Sequence, residues 1–168
     1  MLGAFTMRRF CFALAWVLLL PLSFLPQSSE AFVFRKIVYS SPVEGLIHWD
    51  GKPLEGVVVT RSLRSGGFKK GEYEDNTTTD AKGGFKLPVV EERRLFRPDL
   101  LSANPNVSQL IWLVYEDQRY AFWSYSKHDF YERSEADGEL IKINCDLSVY
   151  EQYDHRRIVR CQNNGVER

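Results

Sequence analysis

The sequence predicts an all-β fold, a single Greek-key-like β-sandwich of about seven strands. Three observations lead there. Val43, Gly45, Ile47 and Trp49 alternate with Glu44, Leu46 and His48, the period of two of a pleated strand with one buried face. Asp50-Gly51 ends that run with two residues that tolerate positive φ, and Val57-Val58-Val59-Thr60 then gives an unbroken β-branched stretch. Further on, Asp80-Ala81-Lys82-Gly83-Gly84 marks a second turn, after which Phe85 and Leu87 re-enter on one face.

Taken in order, residues 32–40 form a lead-in segment in which Ile37-Val38-Tyr39 suits a short edge strand. Residues 43–50 make the first core strand. Pro53 lacks an N–H and belongs at a sheet rim, and Gly56 precedes the second core strand at 57–63. Residues 64–75, with Gly66, Gly67 and Gly71, read as a polar loop. No Gly-Lys-Ser/Thr element follows them, so a flexible hairpin tip suits them better than a phosphate cradle. Residues 74–80 and 84–90 are expected to pair as a hairpin around the turn at Asp80 and Gly83.

Residues 91–108 break the β pattern. A short helical turn suits 91–96, and Pro98 and Pro105 prevent a long helix. Arg93, Arg94 and Arg97 form a basic cluster with Phe96, a candidate partner-binding surface; the alternative is a solvated loop capping the core. Residues 110–115 are the most apolar run after the N-terminal one and predict a central strand. Residues 119–126 return, with Tyr120, Phe122 and Ser124 on one face and Ala121, Trp123 and Tyr125 on the other. Trp112, Trp123 and Tyr125 are candidates for a sugar-stacking platform if they share an exposed face, and core residues otherwise. Residues 127–137 read as a charged loop, 140–145 as the last clear strand, and 162–168 as a frayed polar tail.

The spacing Gly45-x-Ile47, Asp50-Gly51-Lys52-Pro53-Leu54-Glu55-Gly56-Val57-x-Val59 and Thr79-Asp80-x-x-Gly83-x-Phe85 resembles the carboxypeptidase regulatory-like, or transthyretin-like, β-sandwich. The chain also resembles a family of short bacterial domains of unknown function built on that sandwich. Tyr120-Ala121-Phe122-Trp123-Ser124 and Cys145-Asp146-Leu147 match its later segments. The resemblance implies the fold over roughly residues 41–147. It transfers no catalytic residue.

The first 31 residues read as a signal peptide. Met7-Arg8-Arg9 is a positive opening, an apolar run follows from Phe10 to Leu25, and Ser29-Glu30-Ala31 is a small-x-small cleavage site. The run carries Pro21 and falls short of the roughly 20 apolar residues of a membrane span; an uncleaved anchor is the alternative. The expected organisation is therefore a signal peptide at 1–31, the lead-in at 32–40, the sandwich at 41–147 and a disulfide-tethered tail at 148–168. The expected location is the bacterial periplasm, with no membrane attachment once the signal is cleaved.

Lysine plus arginine equals aspartate plus glutamate at 22 each, and this balance argues against a nucleic-acid partner. Cleavage removes Arg8, Arg9 and Glu30, leaving near neutrality, and also removes Cys11. Cys145 and Cys161 remain, an even count in an exported chain, which reads as one disulfide; two free thiols are the alternative.

His48, His128 and His155 have no metal-ligand spacing, and no Gly-x-Ser-x-Gly elbow occurs. The expectation is a protein without enzymatic activity or cofactor. It would bind an envelope or secreted protein as an accessory or immunity-type module, or cell-wall carbohydrate through the aromatic hairpin, or serve a structural role.

Overall fold

The computed structural model describes residues 34–68, 70–95, 106–154, 156–163 and 166–167. The signal-peptide reading of residues 1–31 and two members of the basic cluster, Phe96 and Arg97, lie outside them. The described residues form an all-β sandwich. Its strands are β1 (Arg35–Ser40), β2 (Val43–Trp49), β3 (Lys52–Pro53), β4 (Val58–Arg64), β5 (Glu72–Thr78), β6 (Gly84–Leu87) and β7 (Val90–Arg94). They continue with β8 (Val107–Tyr115), β9 (Gln118–Lys127), β10 (Ile141–Asp146), β11 (Tyr150–Tyr153), β12 (Arg156–Val159), β13 (Gln162–Asn163) and β14 (Val166–Glu167). Among the described residues a 3-10 turn spans Ser134–Ala136.

One sheet runs β14-β13-β10-β2-β3, with β6 also paired to β2; the other runs β11-β12-β9-β8-β4-β5. β1 and β7 make a separate two-stranded ribbon. Two neighbouring pairs, β2 with β10 and β9 with β12, are parallel, so both large sheets are mixed. Val43, Ile47, Phe85, Leu87, Ile141 and Ile143 from the first sheet interlock with Val59, Ile111, Leu113, Tyr120 and Phe122 from the second.

Both predicted turns form. Asp50 and Gly51 take φ of 50° and 70°, the two-residue reversal that joins β2 to β3, with Pro53 on the outermost strand. Asp146 holds that reversal from across the sheet, accepting hydrogen bonds from Asp50 N (3.0 Å), Gly51 N (2.8 Å), Ser148 N (3.0 Å) and Ser148 Oγ (2.6 Å). Burial pushes the Asp146 carboxyl up, but these donors outweigh it and set its pKa at about 2. At the second turn Asp80 Oδ1 accepts from Lys82 N and Gly84 N, each at 2.8 Å. Gly83 there has φ of 74°, and an added Cβ would sit 2.3 Å from the Ile47 carbonyl, so no other residue fits. Gly45 is required for a different reason: a Cβ there would lie 2.2 Å from the Phe85 ring.

The structure corrects several sequence expectations. Strand count is the first, because β3, β11, β13 and β14 are two to four residues long and β5 and β7 are polar, so none shows the alternation of a buried strand. Residues 64–75 are not a loop throughout: β4 runs to Arg64 and β5 starts at Glu72, leaving only the tip. The segments flanking the Asp80–Gly83 turn do not pair with each other. β5 pairs with β4 in one sheet and β6 with β2 in the other, so that turn carries the chain between layers. Glu91 to Arg94 are strand rather than helix, paired with β1, and the lead-in thereby joins the fold with Ile37 and Tyr39 buried. The C-terminal residues also join the sheets, β12 against β9 and β13 against β10. Cys145 and Cys161 form a disulfide with Cα atoms 4.6 Å apart, a spacing suited to directly opposed residues of an antiparallel pair.

A buried polar seam divides the interior. Inward positions along β4 read Val59, Arg61, Leu63, and along β8 Leu113, Ile111, Gln109, Val107. Leu63 and Val107 belong to a second apolar cluster with Ile37, Tyr39, Val90 and Phe130, while Val59 and Ile111 belong to the main core. Between the two lies Arg61, with none of its surface exposed. It donates to Asp75 Oδ1 (2.9 Å) and Oδ2 (2.5 Å), Ser40 Oγ (3.0 Å) and the Pro88 carbonyl (2.8 Å). Next to it, Glu135 accepts from Ser41 N (3.0 Å) and Ser41 Oγ (2.6 Å) and pairs with Lys127 Nζ at 3.2 Å. Lys127 and Glu135, expected in a charged loop, are both 2% exposed.

Two predictions follow from these contacts. Arg61→Met strands the Asp75 carboxylate and should cost about 3 kcal/mol in urea unfolding, with Arg61→Met/Asp75→Leu costing less because no unpaired charge remains. Asp146 has a depressed folded-state pKa, so its contribution is complete above its unfolded value near 4 and is lost as pH falls through about 2. Unfolding measured from pH 6 down to pH 2 should show a loss of about 1–2 kcal/mol that Asp146→Asn abolishes.

Candidate binding groove

The outer face of the first sheet carries a surface depression. Alternation along β2 turns Glu44 and Leu46 away from the core. The parallel register with β10 sets Lys142 beside Glu44 and Asn144 beside Leu46, and the antiparallel register with β6 sets Lys86 and Gly84 on their other side. Two rows result, Lys142–Glu44–Lys86 and Asn144–Leu46–Gly84. Gly84 has no side chain to cover the flank of Leu46, which stays 41% exposed on a face whose other apolar side chain is Leu140. Thr77, Thr78 and Asp80 wall one side of the depression, and Glu139, Leu140 and Gln162 the other. The volume is about 1150 Å³, and the depression is an open trough, a shape suited to a polymer segment more than to an enclosed small molecule.

Charge in the groove is mixed, with Glu44, Asp80 and Glu139 against Lys86 and Lys142. Lys86 Nζ lies 2.8 Å from Glu44 Oε1, a hydrogen bond that lowers the Glu44 pKa and raises that of Lys86. Asp80 is also held below the usual carboxylate range, by the Gly84 and Lys82 N–H groups. Among the described residues, no group of three or more histidines, cysteines, aspartates and glutamates is placed to hold a metal ion.

The sequence-derived candidates lie elsewhere and do not converge. Arg93 is exposed on β7 next to Lys36, whereas Arg94 is half-buried, paired with Glu92 and donating to the Gly67 carbonyl at 2.6 Å. The aromatic platform does not form. A β-bulge pairs Ile111 with Trp123 but Trp112 with Ala121, which shifts Trp123 from the face of Ala121 to that of Tyr120. Trp123 is therefore buried in the core with Tyr125 stacked on it at 6.3 Å. Trp112 points to the opposite side of the sheet, under the guanidinium of Arg119 at 3.8 Å. Neither Leu46 nor the groove was singled out by the sequence. The available signal was one leucine between Glu44 and His48 on the polar face of β2.

A family model described as a domain of unknown function, DUF6795, matches residues 43–149. The chain belongs to this family. No curated protein matches the chain, and no solved structure does. The DUF6795 region runs from the start of β2 past the end of β10. It contains the floor of the groove, both predicted turns and Asp146, while β1 and β11 to β14, with Cys161, lie outside it.

Leu46 contributes nothing to the core, so Leu46→Glu should leave the melting temperature of this DUF6795 protein within the range of a neutral surface change, about 0.5 kcal/mol. A large loss in thermal unfolding would make Leu46 a structural residue instead.

Proposed function

We propose that this protein is an exported, non-enzymatic binding module of the bacterial envelope, of accessory or immunity type, that holds a protein partner in the groove over Leu46. The observation that carries the reading is that groove: an exposed leucine among charges of both signs, in an open trough of about 1150 Å³. Export is supported by the signal-like N-terminus and by the Cys145–Cys161 bridge, a bond that persists in oxidising compartments. The transthyretin-like relationship belongs to the same proposal and rests on the Asp50–Gly51 and Asp80–Gly83 turns. The carbohydrate reading loses its support, because Trp112 and the Trp123–Tyr125 pair lie on opposite faces.

The test is affinity capture from envelope extracts with the wild-type protein and the Leu46→Glu variant side by side. A stoichiometric protein retained by wild type and lost with the variant is expected. Equal retention by both, or retention only on peptidoglycan or polysaccharide, would contradict the proposal.

A further inference from the structure

Strand β5 closes one side of the six-stranded sheet and lies on the flank where the groove opens. β4 covers one of its edges along all seven residues, and among the described residues no strand pairs with the other. Seven residues make it the longest sheet-edge strand described. Other edges are blunted: β3 contains Pro53, β11 has four residues, and on β1 Val38 N donates to the Phe130 carbonyl at 3.1 Å.

The β5 edge is rigid and acidic. Asp75 is clamped by buried Arg61, which fixes the middle of the strand. Glu72 and Glu74 project outward and are exposed, Glu74 accepting from Ser62 Oγ at 3.0 Å. Arg64 lies opposite Glu72 and Lys70 lies in the hairpin tip, while Arg61 on the inner face is taken up by Asp75. On the other face Tyr73 is 38% exposed and stacks on Phe68 at 5.9 Å, an apolar shelf beside the edge. At its far end Thr77 and Thr78 form a wall of the groove, so a chain lying along β5 runs on toward Leu46.

We propose that β5 accepts an added strand from the partner, an extended segment in which basic residues alternate with apolar ones. Main-chain hydrogen bonds to the open edge supply affinity, cations pair with Glu72 and Glu74, and an apolar side chain rests on Tyr73 and Phe68. A second copy of this chain is disfavoured at the same edge, since it would bring the outward carboxylates Glu72 and Glu74 against their own copies. This inference rests on the protein-binding reading and specifies the partner's chemistry.

The test is an amide-shift titration of the purified protein with the synthetic peptide Thr-Lys-Val-Arg-Val-Lys-Thr-Val. Controls are the same peptide with glutamate at each basic position and a version N-methylated on alternate residues. The basic peptide is expected to shift the amides of residues 72–78, the acidic one to bind about tenfold more weakly, and N-methylation to weaken binding by about as much. Glu72→Lys/Glu74→Lys should invert the charge preference. Silent β5 amides, or affinity indifferent to N-methylation and charge reversal, would overturn the inference. Shifts confined to Leu46 and Asn144 would also overturn it while leaving the groove as a protein-binding site, and Leu46-dependent capture reports on that broader reading separately.

Discussion

Arg61 is the group on which the arrangement depends. A guanidinium with no exposed surface carries a desolvation cost of several kcal/mol, offset only if every donor is satisfied. Asp75, the Pro88 carbonyl, Ser40 Oγ and the Ser41 carbonyl satisfy it, and they come from three segments: β5, the link from β6 to β7, and the end of β1 with the residue after it. One side chain therefore sets where three segments meet. Ser41, next in the chain, extends the seam to Glu135, and Glu135 fixes Lys127 at the end of β9. The seam is charge-balanced, two cations with two carboxylates, and an apolar cluster lies on each side of it.

The groove and the open edge of β5 follow from that interior. Asp75 faces Arg61, which turns its neighbours Glu74 and Asn76 outward on β5. The chain then crosses to the other sheet through the Asp80–Gly83 turn, where only glycine fits against Ile47. The crossing sets the end of β5 beside β6 and leaves Gly84 next to Leu46, with nothing to cover it. The groove and the open edge thus lie together because one tight turn joins two layers.

Local chemistry was legible in the sequence, and distant partnership was not. Asp50-Gly51 and Asp80-Gly83 form turns because Asp50, Gly51 and Gly83 accept positive φ and Asp80 Oδ1 caps its own turn, and Asp146 only locks the first one. The core strands β2, β4 and β8 follow from alternation and β-branching. Arg61 sits in such a run and looks like a solvent-facing charge, since its inward orientation depends on Asp75, fourteen residues later. Lys127 and Glu135 lie in a stretch so charged that burial is unexpected, and the Ser41 that receives Glu135 is 94 residues away. The bulge at Phe122 changes which face Trp123 occupies, and no local residue announces it. The groove is assembled from five strands and is visible only once β2 lies between β10 and β6.

The central claim is that the buried seam welds the β1–β7 ribbon to the sandwich as one cooperative unit. Native-state hydrogen exchange tests it directly, by comparing the ribbon amides of Ile37 and Glu92 with the core amides of Ile111 and Leu113 under rising denaturant. The account predicts a single opening free energy for both sets, equal to that of global unfolding. Ribbon amides that exchange by a separate, lower-energy opening would contradict it, and would reduce the Arg61 network to a local contact.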